Sequence, residues 1–205
     1  MHSLLGRKFI LIFFFMTIQI CLNGEEIYWE KVKVENQVSV YRAKIDGQIA
    51  FRGVREMWGN PESLVSIIED PSGWKNWIEN FKSGKLIEEI NPEYKVFYQA
   101  INSPFPVSDR DVVFESRIIR DSPDKIRLEM KSVLHPKAPK TIGTRINIIF
   151  THYIIKRINP DKISVTFETL SQVGGTLPDF LVNWASEKYP ITILEGLRRE
   201  LMNKV

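Results

Sequence analysis

The chain has little of the chemistry that usually announces a function. It holds one cysteine, Cys21, so no disulfide can close within it and no cysteine-rich metal centre can form. Neither sign of charge dominates. The 28 basic and 25 acidic groups leave a formal +3, which argues against a polyanion-binding protein and so against nucleic acid. Gly and Pro number 11 each, too few for collagen-like or low-complexity sequence. No Gly-x-Ser-x-Gly elbow, Walker loop, His-Glu-x-x-His pair or dinucleotide glycine fingerprint is present. His152 has no cysteine or acid at ligand spacing, and Glu88 and Glu89 on one strand would point to opposite faces. Nothing in the pattern calls for a cofactor or a metal. What is there is ordinary for a folded domain: 205 residues, 43% hydrophobic and 26% charged, enough for one core.

The first residues read as a targeting segment. Arg7 and Lys8 precede an apolar run from Phe9 to Met16, prolonged by Ile18 and Ile20, and Leu22-Asn23-Gly24 leads into Glu25-Glu26. A basic start, a short apolar stretch and a small residue before a polar one form a secretory signal peptide, here residues 1–24 with cleavage after Gly24. The stretch is shorter than the ~20 residues a bilayer span needs. A second route stays open, because Ile18-Gln19-Ile20-Cys21 loosely resembles a bacterial lipobox, which would anchor the chain through a lipidated Cys21. The expectation is an exported protein, periplasmic or secreted, with its domain over residues 25–205.

The rest alternates strand and turn signals. Ile27 to Val34, Val38 to Lys44 and Ile49 to Trp58 read as strands, with Glu35-Asn36-Gln37 as the first turn. Asn60-Pro61-Glu62-Ser63 opens a helix whose apolar face is Leu64, Ile67 and Ile68, and a short helical segment follows around Trp74 and Trp77. Lys85 to Ile90, Tyr94 to Asn102, Asp111 to Arg120, Lys125 to Val133, Thr144 to Arg157 and Lys162 to Gln172 read as strands split by Pro and Asn/Asp turns. Such short connections require antiparallel neighbours. A helical pattern runs from Leu177 to Met202, with Pro190 predicting a kink or break near Tyr189. The fold class is α+β: a curved antiparallel sheet with one face covered by the terminal helix. A space between the two would hold a small apolar ligand.

Three stretches carry a family resemblance. Ser103-Pro104-Phe105-Pro106-Val107-Ser108-Asp109-Arg110-Asp111 resembles the Pro-x-Pro-x-Ser-x-Arg-Asp segment of the START lipid-transfer domain, a member of the helix-grip (Bet v 1-like) superfamily. Gly174-Gly175-Thr176-Leu177-Pro178, continuing to Asn183-Trp184, resembles its entry to the last helix, and Asp70 with Trp77 resembles its Asp…Trp pair. The likeness covers about Ile27 to Lys204. The helix that many members place before the first strand has no counterpart. The resemblance implies a helix-grip fold with a tunnel for one hydrophobic molecule, a phospholipid, sterol or sphingolipid. Locally the chain is most similar to phosphatidylcholine-transfer proteins. Their aromatic choline cage falls on Gln99, Val112 and Ile149 and their phosphate arginine on Trp74, so none of the four is retained. A quaternary ammonium needs aromatic faces and a phosphate wants a fork of donors, which leaves choline selectivity in doubt.

The same alignment orients the strands, since side chains alternate faces. Phe97, Gln99 and Ile101 face the tunnel from one strand, and Val112, Phe114 and Ser116 from the next. Arg145, Asn147, Ile149, Thr151 and Tyr153 face it from the long strand. There the opposite register, Ile146, Ile148, Phe150 and Ile154, is more apolar, and a one-residue bulge would invert the assignment. Leu181 and Trp184 would contribute from the helix. Gln99, Ser116 and Asn147 are the candidate orienting groups. Arg110, Asp111, Gly174, Gly175 and Pro178 are read as structural: Arg110 and Asp111 as anchors of a strand start, the glycines as a positive-φ cap. His135 is read as an exposed loop residue.

The leading expectation is a monomer that binds a lipid or other hydrophobic small molecule, and carries or senses it. Release would need the terminal helix or the loop His135 to Ile142 to swing open. Lys137 and Lys140 on that loop would make transient contact with an anionic membrane. The alternatives are a cyclase- or hydrolase-like enzyme on the same fold, marked by a Tyr, His or Asp of strongly shifted pKa in the cavity, and a binding module for a protein partner.

Overall fold

The structure is a computed structural model that describes residues 27–103, 105, 107–174 and 179–204, without the side chains of 179–186. The expected signal peptide with Cys21, the loop prolines Pro104 and Pro106, the helix-entry residues Gly175 and Pro178, and the side chains of Leu181 and Trp184 lie outside the described residues.

Strands β1 (Glu30–Glu35), β2 (Val38–Ile45) and β3 (Gln48–Trp58) form an antiparallel ribbon. Both of its turns are two-residue reversals with positive φ throughout: Asn36 (51°) and Gln37 (62°), then Asp46 (48°) and Gly47 (78°). That geometry matches the twist of the flanking strands. Helix α1 (Pro61–Ile68) starts where its signals placed it. The Asn60 side chain accepts from the Ser63 N–H at 2.9 Å, and Pro61 occupies the first turn. Leu64, Ile67 and Ile68 are buried. A 3-10 turn, Trp74–Asn76, follows.

Strand β4 (Phe81–Asn91) starts at Phe81, before the expected Lys85. Ser83 and Gly84, outside the expected strand, both pair with β5 (Tyr94–Ile101). The glycine has a packing reason: a Cβ at Gly84 would stand 2.6 Å from Cε3 of Trp74. Strands β6 (Arg110–Ser122) and β7 (Lys125–Ser132) continue the antiparallel run. The expected single strand over 144–157 is two. The short β8 (Thr144–Arg145) pairs parallel with β6, and β9 (Asn147–Asn159) pairs with β7 and β10 (Lys162–Gln172).

The strands form one sheet in the order β1-β2-β3-β10-β9-β7-β6-β5-β4, with β8 beside β6. Pairing of β3 with β10 joins the first ribbon to the last strand and curves the sheet around helix α2 (Asp179–Asn203). Pro190 sits inside α2, and of the expected kink or break the break does not occur. The helix lies on β3 there: a Cβ at Gly53 would be 2.8 Å from Pro190 Cβ and 2.9 Å from Leu194 Cδ1, so close packing holds the turn that the missing hydrogen bond weakens. This is the α+β helix-grip architecture expected from the sequence.

Candidate functional site

The sheet has an interior face toward α1 and α2 and an outer face. The strand alternation decides which residues share each. Phe97 of β5, Val112, Phe114 and Ile118 of β6, Ile126, Leu128 and Met130 of β7, and Ile163, Val165 and Phe167 of β10 belong to the interior core. Gln99 and Ile101 continue the Phe97 face, and Ser116 continues the Phe114 face. These residues therefore share the interior side of the sheet.

The long strand does not follow one register. Tyr153 and Ile155 belong to the core, and Thr151 lies on their face, its hydroxyl 2.8 Å from that of Thr169. Then Phe150 pairs with Leu170 but Ile148 with Ser171, so Ile149 is the extra residue of a β-bulge. Beyond it Ile148 and Ile146 pack on the core. Arg145 and Asn147 are thereby turned to the outer face. Asn147 Nδ2 donates to Gln172 Oε1 at the exposed surface, and Ile149 is 40% exposed. Asn147 thus leaves the interior set, and Ile149 is carried by the bulge rather than by the alternation that had placed it there. Of the cage positions, Gln99 and Val112 are cross-strand partners, neither aromatic, and Ile149 sits apart at the bulge.

The interior under β4, β5 and β6 is filled with rings. Trp74 (2% exposed), Phe97 (1%) and Phe114 (3%) present almost no surface. The Trp74 ring lies 5.4 Å from Phe97, 6.1 Å from Phe114 in a stacked pair, and 6.4 Å edge-on from Phe81. Its Nε1 donates to the Ile68 carbonyl at 2.8 Å. Where α1 ends, Ser116 Oγ donates to Glu69 Oε1 at 2.5 Å, and Lys95 Nζ stands 3.2 Å from Glu69 Oε2. Nothing in the sequence pattern pointed to Glu69. Further across the same face, in the cross-strand row of Ser116 and Met130 and just beyond it, the polar groups are hydroxyls: Thr151, Thr169 and Ser171, the last two 3.4 Å apart, with Ser132 Oγ accepting from Ile148 N–H at 2.8 Å. Of these only Thr151 was anticipated.

Arg110 and Asp111 are buried but do not pair with each other. Arg110 donates to the Ser108 carbonyl. Asp111 accepts from Arg145 Nε at 2.7 Å and from the Ile142 N–H at 2.9 Å on the outer face. Burial alone would push the Asp111 carboxyl up, but the Arg145 guanidinium and the Ile142 N–H outweigh it and hold it below the usual carboxylate range. These bonds fasten the 133–143 loop onto the outer face, where Val133 and Ala138 pack on Val96, Tyr98, Ala100 and Val113. Arg145 also reaches the Pro139 carbonyl at 2.7 Å. His135 is no free loop residue: its Nε2 is 2.7 Å from Glu88, which also takes Lys137 at 3.3 Å. The loop is a strap. Gly174 (φ 65°) supplies the expected positive-φ turn before α2, and a Cβ there would meet Thr144 Cγ2 at 2.7 Å.

A cleft of about 570 Å³ opens elsewhere, between α2, the β1–β2 turn and Asn76–Glu79. Glu35, Glu79, Glu195, Lys188 and Arg199 line it, which suits no alkyl chain.

Solved structures share the fold. The human StarD13 lipid transfer and protein localization domain superimposes with a TM-score of 0.77, at 18% identity, over 86% of this chain and 90% of that one. A STAR-related lipid transfer protein from Xanthomonas axonopodis gives 0.74, at 21% identity, over 85% and 98%. Among curated sequences, an uncharacterized protein of Pseudomonas aeruginosa is 25% identical over 83% of this chain and 85% of its own length. The phosphatidylcholine transfer protein of Mus musculus is 23% identical over 85% and 84%. The ceramide transfer protein of Xenopus laevis is 26% identical over 85% of this chain, which spans 32% of that protein. The START domain model matches residues 22–204, and the chain belongs to the START family.

Proposed function

We propose that this protein binds one lipid between the interior face of its sheet and α2, and carries it between membranes. The observation that carries the reading is the match of a START domain over residues 22–204, on a sheet whose interior face is apolar and whose relatives include phosphatidylcholine and ceramide transfer proteins. The driving force is desolvation of the lipid's chains, ~25 cal/mol per Å² of apolar surface removed from water. Gln99, Ile101 and Val112 provide the wall nearest the loop end, and Leu181 and Trp184 belong to the helix that closes over it. Phe97 with Phe114, and Ser116 in the same cross-strand row as Thr151, lie deeper. Choline is not preferred, because Gln99, Val112 and Ile149 form no aromatic cage.

The loop end of the sheet is the side that meets the membrane. Phe105, Leu134, Ile142 and Val173 are exposed there, and Lys137 and Lys140 stand on the same strap. Asp109 ties the two loops together: its carboxylate accepts from the Ser103 N–H at 3.0 Å and its carbonyl from the Thr144 N–H at 2.9 Å. Apolar tips beside lysines suit an anionic lipid surface. The protein acts as a monomer, exported after cleavage behind Gly24.

The enzyme alternative gains no support among the described residues. Tyr153 has a strongly raised pKa, from burial and then from neighbouring Tyr189. That shift keeps the phenol protonated, and its ring packs at 5.1 Å on Phe167 as part of the core.

The test is transfer of a fluorescent fatty-acyl lipid from donor to acceptor vesicles. The expected result is stoichiometric loading and faster transfer with protein than without. Absence of loading by the folded protein removes the carrier reading. Intact mass of the exported protein checks the N-terminus at Glu25, and a diacylated Cys21 would replace the soluble form with a lipoprotein.

A further inference from the structure

We propose that the charged cleft beside α2 is a second binding site, for a small zwitterion with an apolar side chain: an α-amino acid or a short peptide. The site lies apart from the lipid interior and does not rest on the carrier reading. Its volume of about 570 Å³ falls among small-molecule pockets, which run roughly 300–1,000 Å³. Three parts of the chain meet there: the β1–β2 turn, residues 76–79 and the second half of α2. Gly196 lets the helix come this close, since a Cβ there would collide with the Trp77 carbonyl.

Most charges of the cleft are already spent on each other. Lys188 Nζ stands 2.8 Å from Glu35, which also takes Lys33 at 3.0 Å. Glu195 takes Arg55 and, at 3.3 Å, Arg198. Two lining charges remain. Arg199 on α2 and Glu79 ahead of β4 are exposed and have no ion-pair partner among the described residues. They leave one fork of donors and one carboxylate open, so a ligand carrying an anion and a cation satisfies both.

Two buried donors at the same wall point to an incoming acceptor. Trp77, which lines the cleft, has no partner for its Nε1. Arg55 bonds two lining residues, Glu195 and the Asn36 carbonyl, yet its Nε has no partner either. Buried polar groups are normally satisfied, and a ligand carboxylate brings the missing acceptors. An anion alone would face Glu35, Glu79 and Glu195 uncompensated, and a cation alone would leave the donors unfilled. Trp77, Ile78 and Ile191 make up the apolar part of the lining. It is too small and too ringed by charge for a lipid chain, but it suits one amino-acid side chain.

The experiment titrates the purified protein with leucine, leucyl-leucine and glycine by calorimetry. At least one of the first two should bind at millimolar concentration or tighter. Their charges differ in spacing, so the preference between them tells an amino acid from a peptide. N-acetylation of the better ligand removes its cation, and amidation removes its anion. Each should weaken binding about tenfold, the size of one lost charge-assisted contact. Arg199→Gln should weaken the parent ligand as much and leave the amide unchanged. Glu79→Gln should do the same and leave the N-acetyl form unchanged. Both side chains are exposed, so the variants should fold, which circular dichroism checks. Binding of neither leucine nor leucyl-leucine overturns the proposal. So does a singly charged analogue, or glycine, that binds as well as the parent, and so does parent binding that either substitution leaves unchanged.

Discussion

Replacing Gly84 with Ala puts one methyl group against a ring that cannot move away. The new Cβ would stand 2.6 Å from Trp74 Cε3, 2.9 Å from Cζ3 and 3.1 Å from Phe81 Cε2, all closer than carbon atoms pack. Trp74 is held by its bond to Ile68 and by three neighbouring rings, so relief requires a shift of the 3-10 turn or of β4. Overpacking of this kind costs ~1–3 kcal/mol. Losing a glycine from the unfolded chain returns ~0.4–1 kcal/mol. The net is destabilising, and at ~2–4 °C per kcal/mol for a chain of this size the midpoint should fall by several degrees. Scanning calorimetry measures it. The same substitution in a Trp74→Leu background isolates the cause, since the ring is gone and the penalty should largely vanish. A Gly84→Ala protein that melts at or above wild type, or an equal drop in both backgrounds, would show that Trp74 does not lie over Gly84.

Asp111→Asn should cost ~1–3 kcal/mol, because it leaves Arg145 and the Ile142 N–H without their charged acceptor while Arg145 keeps some contact with water. The Asp111 carboxyl is held low, so its contribution is complete above the ordinary carboxylate value of ~3.9 and is lost as pH falls through the folded value; the two proteins' melting points should converge in acid and separate toward neutral pH, and a constant gap would contradict the ion pair. Phe114→Trp should lower stability by ~1–3 kcal/mol, since the ring already fills its site at 3% exposure; an unchanged melt with lost lipid uptake would mean that open space lies beside it. Ile148→Ala should cost ~1–2 kcal/mol and Ile149→Ala under ~0.5, because the bulge puts only the first against the core; reversed costs would remove the bulge.

The outline of the fold was legible wherever a local signal had a local cause. Asn60-Pro61 marked the start of α1 because a cap and a proline act within one turn. The faces of β5 and β6 followed from alternation, fixed by Phe97 and Phe114. What escaped reading depended on partners distant in sequence. Gly84 lowers strand propensity, and only the Trp74 ring above it explains why a strand persists there. Pro190 should break a helix, yet Gly53 on β3 lets the turn pack tightly enough to hold. The bulge at Ile149 depends on the spacing of Phe150 and Ile148 against Leu170 and Ser171, which one strand cannot reveal. Its apolar alternative, Ile146 and Ile148, was visible, but choosing between the registers needed the partner strand.

Alternation also settles the Arg110–Asp111 pair, by the reasoning that separates Glu88 from Glu89. Adjacent strand residues point to opposite faces, so the two charges cannot form one ion pair. Arg110 lies on the interior side and holds the Ser108 carbonyl, while Asp111 lies outside and holds Arg145 and the Ile142 N–H. With Asp109 fastening Ser103 and Thr144, the three residues 109–111 knit the 102–109 loop, the 133–143 strap and β8 into one rim. A strap held by a buried carboxylate, a histidine–glutamate contact and a small apolar cluster is a costly element to open. Before α2, Gly174 takes a positive φ and lies against the Thr144 methyl group. The strap, one of the two elements expected from sequence to swing, is thus anchored at several points along its length.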